Sequence, residues 1–183
     1  DAVLGGVSLG CNVTLLAAVA HPERVRAMVL EMPVLEWAVP AAAMAFTPLL
    51  LLAHYGGGLL RALDPVRQRI PDLPVDALNS FVHSLQLPPE VIAAVLHGIL
   101  VGPVAPTVEE RRAIQAPGLV LAHGNDLIHP FSDAENLVHQ LAHGRLVRSR
   151  SSIELRALPG RLSREIAAFV DATWTEPVTV AAG

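Results

Sequence analysis

With 183 residues and a formal net charge of −4, the chain is long enough for one ordinary domain and not comfortably for two. It is 52% hydrophobic and 16% charged, which excludes an acidic or basic disordered tail, and the acidic balance argues against a nucleic-acid partner. A single cysteine, Cys11, excludes a disulfide framework and a cysteine-based zinc site.

The chain opens on Asp1, and Ala2-Val3-Leu4-Gly5-Gly6-Val7 already reads as a buried strand. No charged stretch with an apolar run precedes it, so no secretory signal is expected, a cytoplasmic location is expected, and the beginning of the protein is expected to be missing. From Leu9 to Ala20 the pattern turns helical, and His21-Pro22-Glu23-Arg24 stops the helix because proline disfavours helical geometry in the residue before it. Val25 to Leu30 is a second strand. Strand, helix, strand within so short a span is a βαβ unit and predicts a parallel sheet.

Between residues 31 and 114 successive helical segments are predicted over Trp37 to Tyr55, Gly58 to Ile70, Val75 to Leu85 and Pro89 to Leu100. The stretches Trp37 to Leu60 and Val91 to Val108 carry no Asp, Glu, Lys or Arg, but proline and glycine interrupt both. They read as apolar helices that line a pocket or touch a lipid surface, rather than as membrane spans. After Pro117 the strand–helix rhythm returns: a strand over Gly118 to Ala122, a helix over Ser132 to Leu141, a strand over Arg145 to Arg148 and a helix over Arg161 to Thr173. The architecture expected is α/β, with a sheet core over residues 1–30 and 115–174, a helical insertion over 31–114 and a frayed tail over 175–183.

Gly6-Val7-Ser8-Leu9-Gly10 is a G-x-S-x-G pattern between a predicted strand and a predicted helix. A serine on so sharp a turn is held in strained backbone geometry, and glycines two residues either side remove the clashes that bulky groups would make. The turn presents the Ser8 hydroxyl at the carboxyl edge of the sheet, where α/β proteins place ligands. The Leu9 N–H, at the start of the helix, can help hold a developing oxyanion. The bland alternative is that Ser8 is an ordinary N-cap on a glycine-rich turn.

Gly5-Gly6-Val7-Ser8-Leu9-Gly10, followed by His21-Pro22-Glu23-Arg24-Val25-Arg26-Ala27-Met28-Val29-Leu30, resembles the nucleophile elbow of the α/β-hydrolase superfamily and the strand after it. Ala116-Pro117-Gly118-Leu119-Val120-Leu121-Ala122-His123-Gly124-Asn125-Asp126 is similar to that family's penultimate strand and acid loop, and Asp126 stands where the pattern carries the triad carboxylate. The resemblance implies the C-terminal part of an α/β-hydrolase fold, with residues 31–114 as cap or lid and the sheet strands before the elbow absent. It also implies a histidine after the last strand. That region reads Ser149-Arg150-Ser151-Ser152-Ile153-Glu154-Leu155-Arg156, and no histidine follows His143.

A serine nucleophile needs a base within hydrogen-bond reach, and the base needs an orienting partner. His129 lies three residues past Asp126 in a loop at the carboxyl edge, which makes it the candidate base; alternatively, His129-Pro130 merely begins the next helix. His123 reads as a core or edge residue, His54, His83 and His97 as lid residues, and His139 and His143 as exposed. His123, Asp126 and His129 recur every three residues, but on a strand-to-loop transition rather than one helical face, so no metal is expected. All 13 positive charges are Arg, so no phosphate loop built on glycine and lysine is present, and no cofactor is expected. Cys11 reads as a small buried apolar residue.

Two readings follow. The first is a serine hydrolase acting on an ester or related acyl bond of a small apolar substrate: Ser8 attacks, Leu9 N–H stabilises the oxyanion, Asp126 orients the base, and Gly6 and Gly10 shape the elbow. The second is a non-catalytic protein of the same fold, a ligand-binding or interaction protein that lacks the late histidine. Peripheral membrane contact through Trp37 to Leu60 can accompany either, as can self-association through an uncovered sheet edge at Ala2 to Val7.

Overall fold

The computed structural model describes residues 1–71, 83, 86–102, 105–126 and 128–175. Two compact units divide the chain, Asp1–Ala38 with Val104–Gly183, and Val39–Pro103. The predicted segment Val75 to Leu85 and the tail beyond Thr175 lie outside the described residues, apart from His83.

In the first unit β1 (Ala2–Val7), α1 (Leu9–Ala20), a 3-10 turn (Pro22–Arg24) and β2 (Val25–Glu31) follow one another as the hydrophobic pattern predicts. Later come α6 (Val108–Ala113), β3 (Gly118–Ala122), α7 (Phe131–Gln140), β4 (Gly144–Arg148), α8 (Glu154–Ala157) and α9 (Gly160–Thr175). The four strands form one parallel sheet in the order β1-β2-β3-β4. β1 and β4 are therefore its edges, and β1 shows the partial exposure of an edge strand.

Strand alternation sends side chains to two separate cores. Met28, Leu30, Val120 and Ala122 face α1 and α7, packing with Cys11, Leu15, Ala134 and Leu137. Ala27, Leu119, Leu121 and Val147 face the other way, onto Leu162 and Phe169 of α9. Every residue of β3 is buried, as a central parallel strand covered by helices on both faces must be.

The sheet unit reaches further than the predicted boundaries of 31 and 114. Leu35 and Ile114 belong to the same core as Leu15 and Val120. Asp133 on α7 accepts the backbone N–H groups of Leu35 (2.9 Å), Trp37 (3.1 Å) and Ala38 (3.0 Å), which fixes the segment after β2. Arg111 on α6 is fully buried, donating to the Pro106 carbonyl, Gln140 and Glu36. The helix α6 itself was not predicted; Thr107 and Glu110 form a capping box at its start.

The second unit holds α2 (Ala38–Tyr55), whose first residue belongs to the sheet unit, α3 (Gly57–Ala62), α4 (Asp64–Arg67) and α5 (Pro89–Val101). The helix predicted over Gly58 to Ile70 is thus two short ones, and Pro65 near the start of α4 accounts for the break. Ala53, Ile92 and Leu96 form the small core of this unit. Among the described residues one helix, Ala38–Tyr55, is long and apolar enough to cross a membrane by length and composition, with Pro48 in its interior.

Candidate active site

The turn between β1 and α1 carries Ser8 at φ 53° and ψ −120°, one of two non-glycine residues with positive φ among those described. An L-residue holds such a conformation only where its surroundings impose it. Here the Ser8 N–H donates to the Glu31 carbonyl at the end of β2 (2.8 Å), and the Cys11 N–H donates to the Ser8 carbonyl (2.9 Å). The Ser8 side chain makes no capping bond to α1, unlike an ordinary N-cap.

The two glycines of the pattern do different work. A Cβ on Gly6 would fall on the Gly10 carbonyl and the Cys11 nitrogen, so no larger residue fits without moving the backbone. A Cβ on Gly10 would meet nothing within 4 Å. The expectation that both glycines relieve a clash therefore needs correcting: among the described residues Gly6 does and Gly10 does not.

The loop after β3 brings the remaining groups to the serine. Asp126 Oδ1 accepts the backbone N–H groups of Ile128 (2.8 Å) and His129 (3.0 Å). Its Oδ2 lies 3.0 Å from Nδ1 of His129, and Nε2 of His129 lies 2.8 Å from the Ser8 hydroxyl oxygen. Serine, imidazole and carboxylate thus form one continuous hydrogen-bonded chain. Burial pushes the Asp126 carboxyl up, but the two backbone N–H groups and the His129 ring outweigh it and hold Asp126 below its ordinary value. An acceptor held anionic beside Nδ1 favours the tautomer with its proton on Nδ1 and its lone pair on Nε2, facing the serine. Leu9 opens α1, so its N–H is a first-turn donor with no acceptor inside the helix.

Cys11 lies beneath the turn, its sulfur 3.1 Å from the Glu31 carbonyl and 3.2 Å from that of Gly6. Burial, reinforced by the Glu31 charge, pushes its thiol up to about 12, so it is no rival nucleophile.

After β4 the segment without a histidine turns back to the sheet. The Ser149 N–H donates to the Ala122 carbonyl (2.8 Å), and Arg156 on α8 forks onto Glu31 at 2.8 and 2.9 Å. Glu31 thus holds the Ser8 turn through its carbonyl and the post-β4 segment through its carboxylate. The sequence reading did not single out this pair, whose members are 125 positions apart.

His123 also lies closer to the site than a core residue need be, 3.4 Å from Asp126 Oδ2 through Nε2. The regular spacing of His123, Asp126 and His129 was its signal. Among the described residues no three His, Cys, Asp or Glu side chains converge as a metal-binding group. His54, His83, His97, His139 and His143 are exposed.

No protein-family model matches the chain, and none of the curated proteins does. Solved structures do. An esterase from Thermogutta terrifontis superposes with a TM-score of 0.65 at 19% identity, over 94% of this chain and 65% of its own. The enol-lactonase from Burkholderia xenovorans gives 0.63 at 19%, over 91% and 64%. An N-acyl homoserine lactone degrading enzyme gives 0.62 at 20%, over 92% and 67%. The fold is that of the α/β-hydrolases, and the chain spans about two thirds of the length of these structures.

Proposed function

We propose that the chain is part of a serine hydrolase that cleaves an ester or related acyl bond of a small apolar substrate. The observation that carries this reading is the Ser8–His129–Asp126 chain, with contacts of 2.8 and 3.0 Å, on a strained strand-to-helix turn. Its components are those of nucleophilic acyl transfer: a hydroxyl, a base within reach of its proton, and a carboxylate that orients the base.

The steps follow from those positions. Nε2 of His129 takes the Ser8 proton as Oγ bonds to the acyl carbon, and the charge that develops on the acyl oxygen meets the Leu9 N–H. The imidazolium, stabilised by Asp126, gives its proton to the departing alkoxide as the acyl–oxygen bond breaks. Water then attacks the acyl-serine with His129 as base, releasing the acid and regenerating the hydroxyl. His129 in this role replaces the histidine that the resemblance leads one to seek after the last strand. The helix α2, without Asp, Glu, Lys or Arg, and the helix Pro89–Val101, charged only at Glu90 in its first turn, support an apolar rather than a sugar or peptide substrate. The exposed edge at β1 supports self-association as an additional property.

The non-catalytic reading keeps one supporting observation, the segment Ser149 to Arg156, which carries an arginine pair to Glu31 in place of a histidine. Hydrolysis of p-nitrophenyl esters of graded acyl length separates the two. The hydrolase reading expects turnover that falls by about a hundredfold to ten-thousandfold in His129→Ala and is lost in Ser8→Ala. A folded protein without turnover, or turnover unchanged in Ser8→Ala, would overturn it.

A further inference from the structure

We infer that His123 is a positioning residue for the acid of the site, a second imidazole that shares the Asp126 carboxylate with His129; this deepens the proposed function and rests on it. His123 is 6% exposed, at the end of β3 where the loop begins. Its two ring nitrogens have different surroundings. Nδ1 accepts the Asn125 N–H at 3.3 Å, so that nitrogen carries a lone pair and the proton of the neutral ring sits on Nε2. Nε2 has no hydrogen bond of good geometry, yet lies 3.4 Å from Asp126 Oδ2. A buried N–H with one carboxylate oxygen in reach is held there by electrostatic attraction, because leaving it unpaired costs the desolvation of the group.

Asp126 is therefore held from four directions. The backbone N–H groups of Ile128 and His129 fix Oδ1, while the rings of His129 and His123 approach Oδ2. The first two contacts set where the carboxylate sits, but both lie on the Oδ1 side. On Oδ2 the His123 ring adds a second contact beside that of His129, and it resists a rotation about the Cβ–Cγ bond that would carry Oδ2 away from His129. Arg148 at the end of β4 and Arg150 just beyond it line the same cleft as His123 and Asn125, with Ser149 between them, so the charged groups around His123 are Asp126 on its own loop and these two arginines.

The test exploits the difference between the two ring nitrogens. Glutamine places its side-chain N–H where Nε2 of histidine lies, whereas asparagine reaches only the position of Nδ1. In the full protein, His123→Gln is expected to keep the downfield NMR resonance of the His129 Nδ1 proton and the rate at which a fluorophosphonate labels Ser8. His123→Asn and His123→Phe are expected to lose or broaden that resonance and to slow labelling about ten- to a hundredfold, the scale of a slightly misplaced base. A merely structural role for the ring would make Phe the better substitute. An unaltered resonance in His123→Phe, or equal losses in the Gln and Phe variants, would overturn the inference. If the resonance follows the predicted order but wild-type Ser8 is never labelled, the positioning role stands and the proposed hydrolase function falls.

Discussion

His129 follows Asp126 by three positions in a single loop, with its Nδ1 3.0 Å from the Asp126 Oδ2. Carboxylate and imidazole thus arrive together on the segment after β3, while the segment after β4 is tied to the sheet by Arg156 on Glu31. Because Asp126 also accepts the His129 backbone N–H at 3.0 Å, ring and main chain are tied to one carboxylate, which limits how far the imidazole can swing from Ser8.

This tie predicts a dependence on pH. The Asp126 carboxyl is held below its ordinary value of 3.8, so ionised Asp126 contributes stability in full above 3.8. That contribution is lost as pH falls from there through the lowered folded value. Asp126→Asn should therefore destabilise the protein near neutral pH, with the gap to wild type narrowing in denaturant titrations at about pH 3. A gap that is constant, or that widens in acid, would contradict the assignment.

Asp133 behaves in the opposite sense. Burial dominates and raises its carboxyl above 3.8, against the three backbone N–H groups of Leu35, Trp37 and Ala38 that pull it down. Ionised Asp133 is thus disfavoured relative to the unfolded chain, and stability gained from its neutral form is lost as pH rises through the raised value. The carboxylate is still the acceptor for those three N–H groups. Asp133→Ala strands them and should cost at least about 2 kcal/mol, measured by denaturant unfolding, whatever the gain from removing a buried charge.

The elbow glycines should separate cleanly. Gly6→Ala places a methyl on the Gly10 carbonyl and should prevent the turn from forming, seen as loss of soluble folded protein or of Ser8 labelling. Gly10→Ala adds a methyl to open space at the start of α1 and should be neutral, or stabilising by up to about 1 kcal/mol. Equal damage at both positions would show that something covers Gly10 in the assembled protein.

Much of this arrangement was legible in the sequence, because its signals are local. Gly6-Val7-Ser8-Leu9-Gly10 sits between an apolar run and a helical pattern, and strand periodicity located β1 to β4 to within a residue at each end. Asp126 and His129 share one loop, so sequence separation alone puts them near each other. The capping box of Thr107 and Glu110 was also a local signal, one that the helical reading of residues 31–114 passed over. What the sequence did not yield is long-range. The Glu31–Arg156 fork and the buried Arg111 joined to Glu36 arise from tertiary packing, and no spacing rule pairs charges so far apart. His123 is intermediate: its period of three was visible, but whether its ring faced Asp126 depended on the backbone after β3.

Cys11 offers a check on burial beneath the elbow. A thiol pushed up to about 12 holds almost no thiolate near neutral pH, so iodoacetamide should leave Cys11 unmodified in the folded protein and alkylate it fully in denaturant. Fast alkylation of the native protein would mean that the turn around Ser8 opens, and that the site is less rigid than its hydrogen bonds require.

The central claim is that His129, rather than a histidine after the last strand, activates Ser8. Labelling by a fluorophosphonate, with the modified residue mapped by mass spectrometry, tests it most directly. The account predicts labelling at Ser8 in the wild-type protein, none in Ser8→Ala, and a rate reduced by about a hundredfold or more in His129→Ala when circular dichroism shows the variant folded. Labelling of Ser8 at an undiminished rate in His129→Ala, or no labelling of a folded wild-type protein, would contradict it.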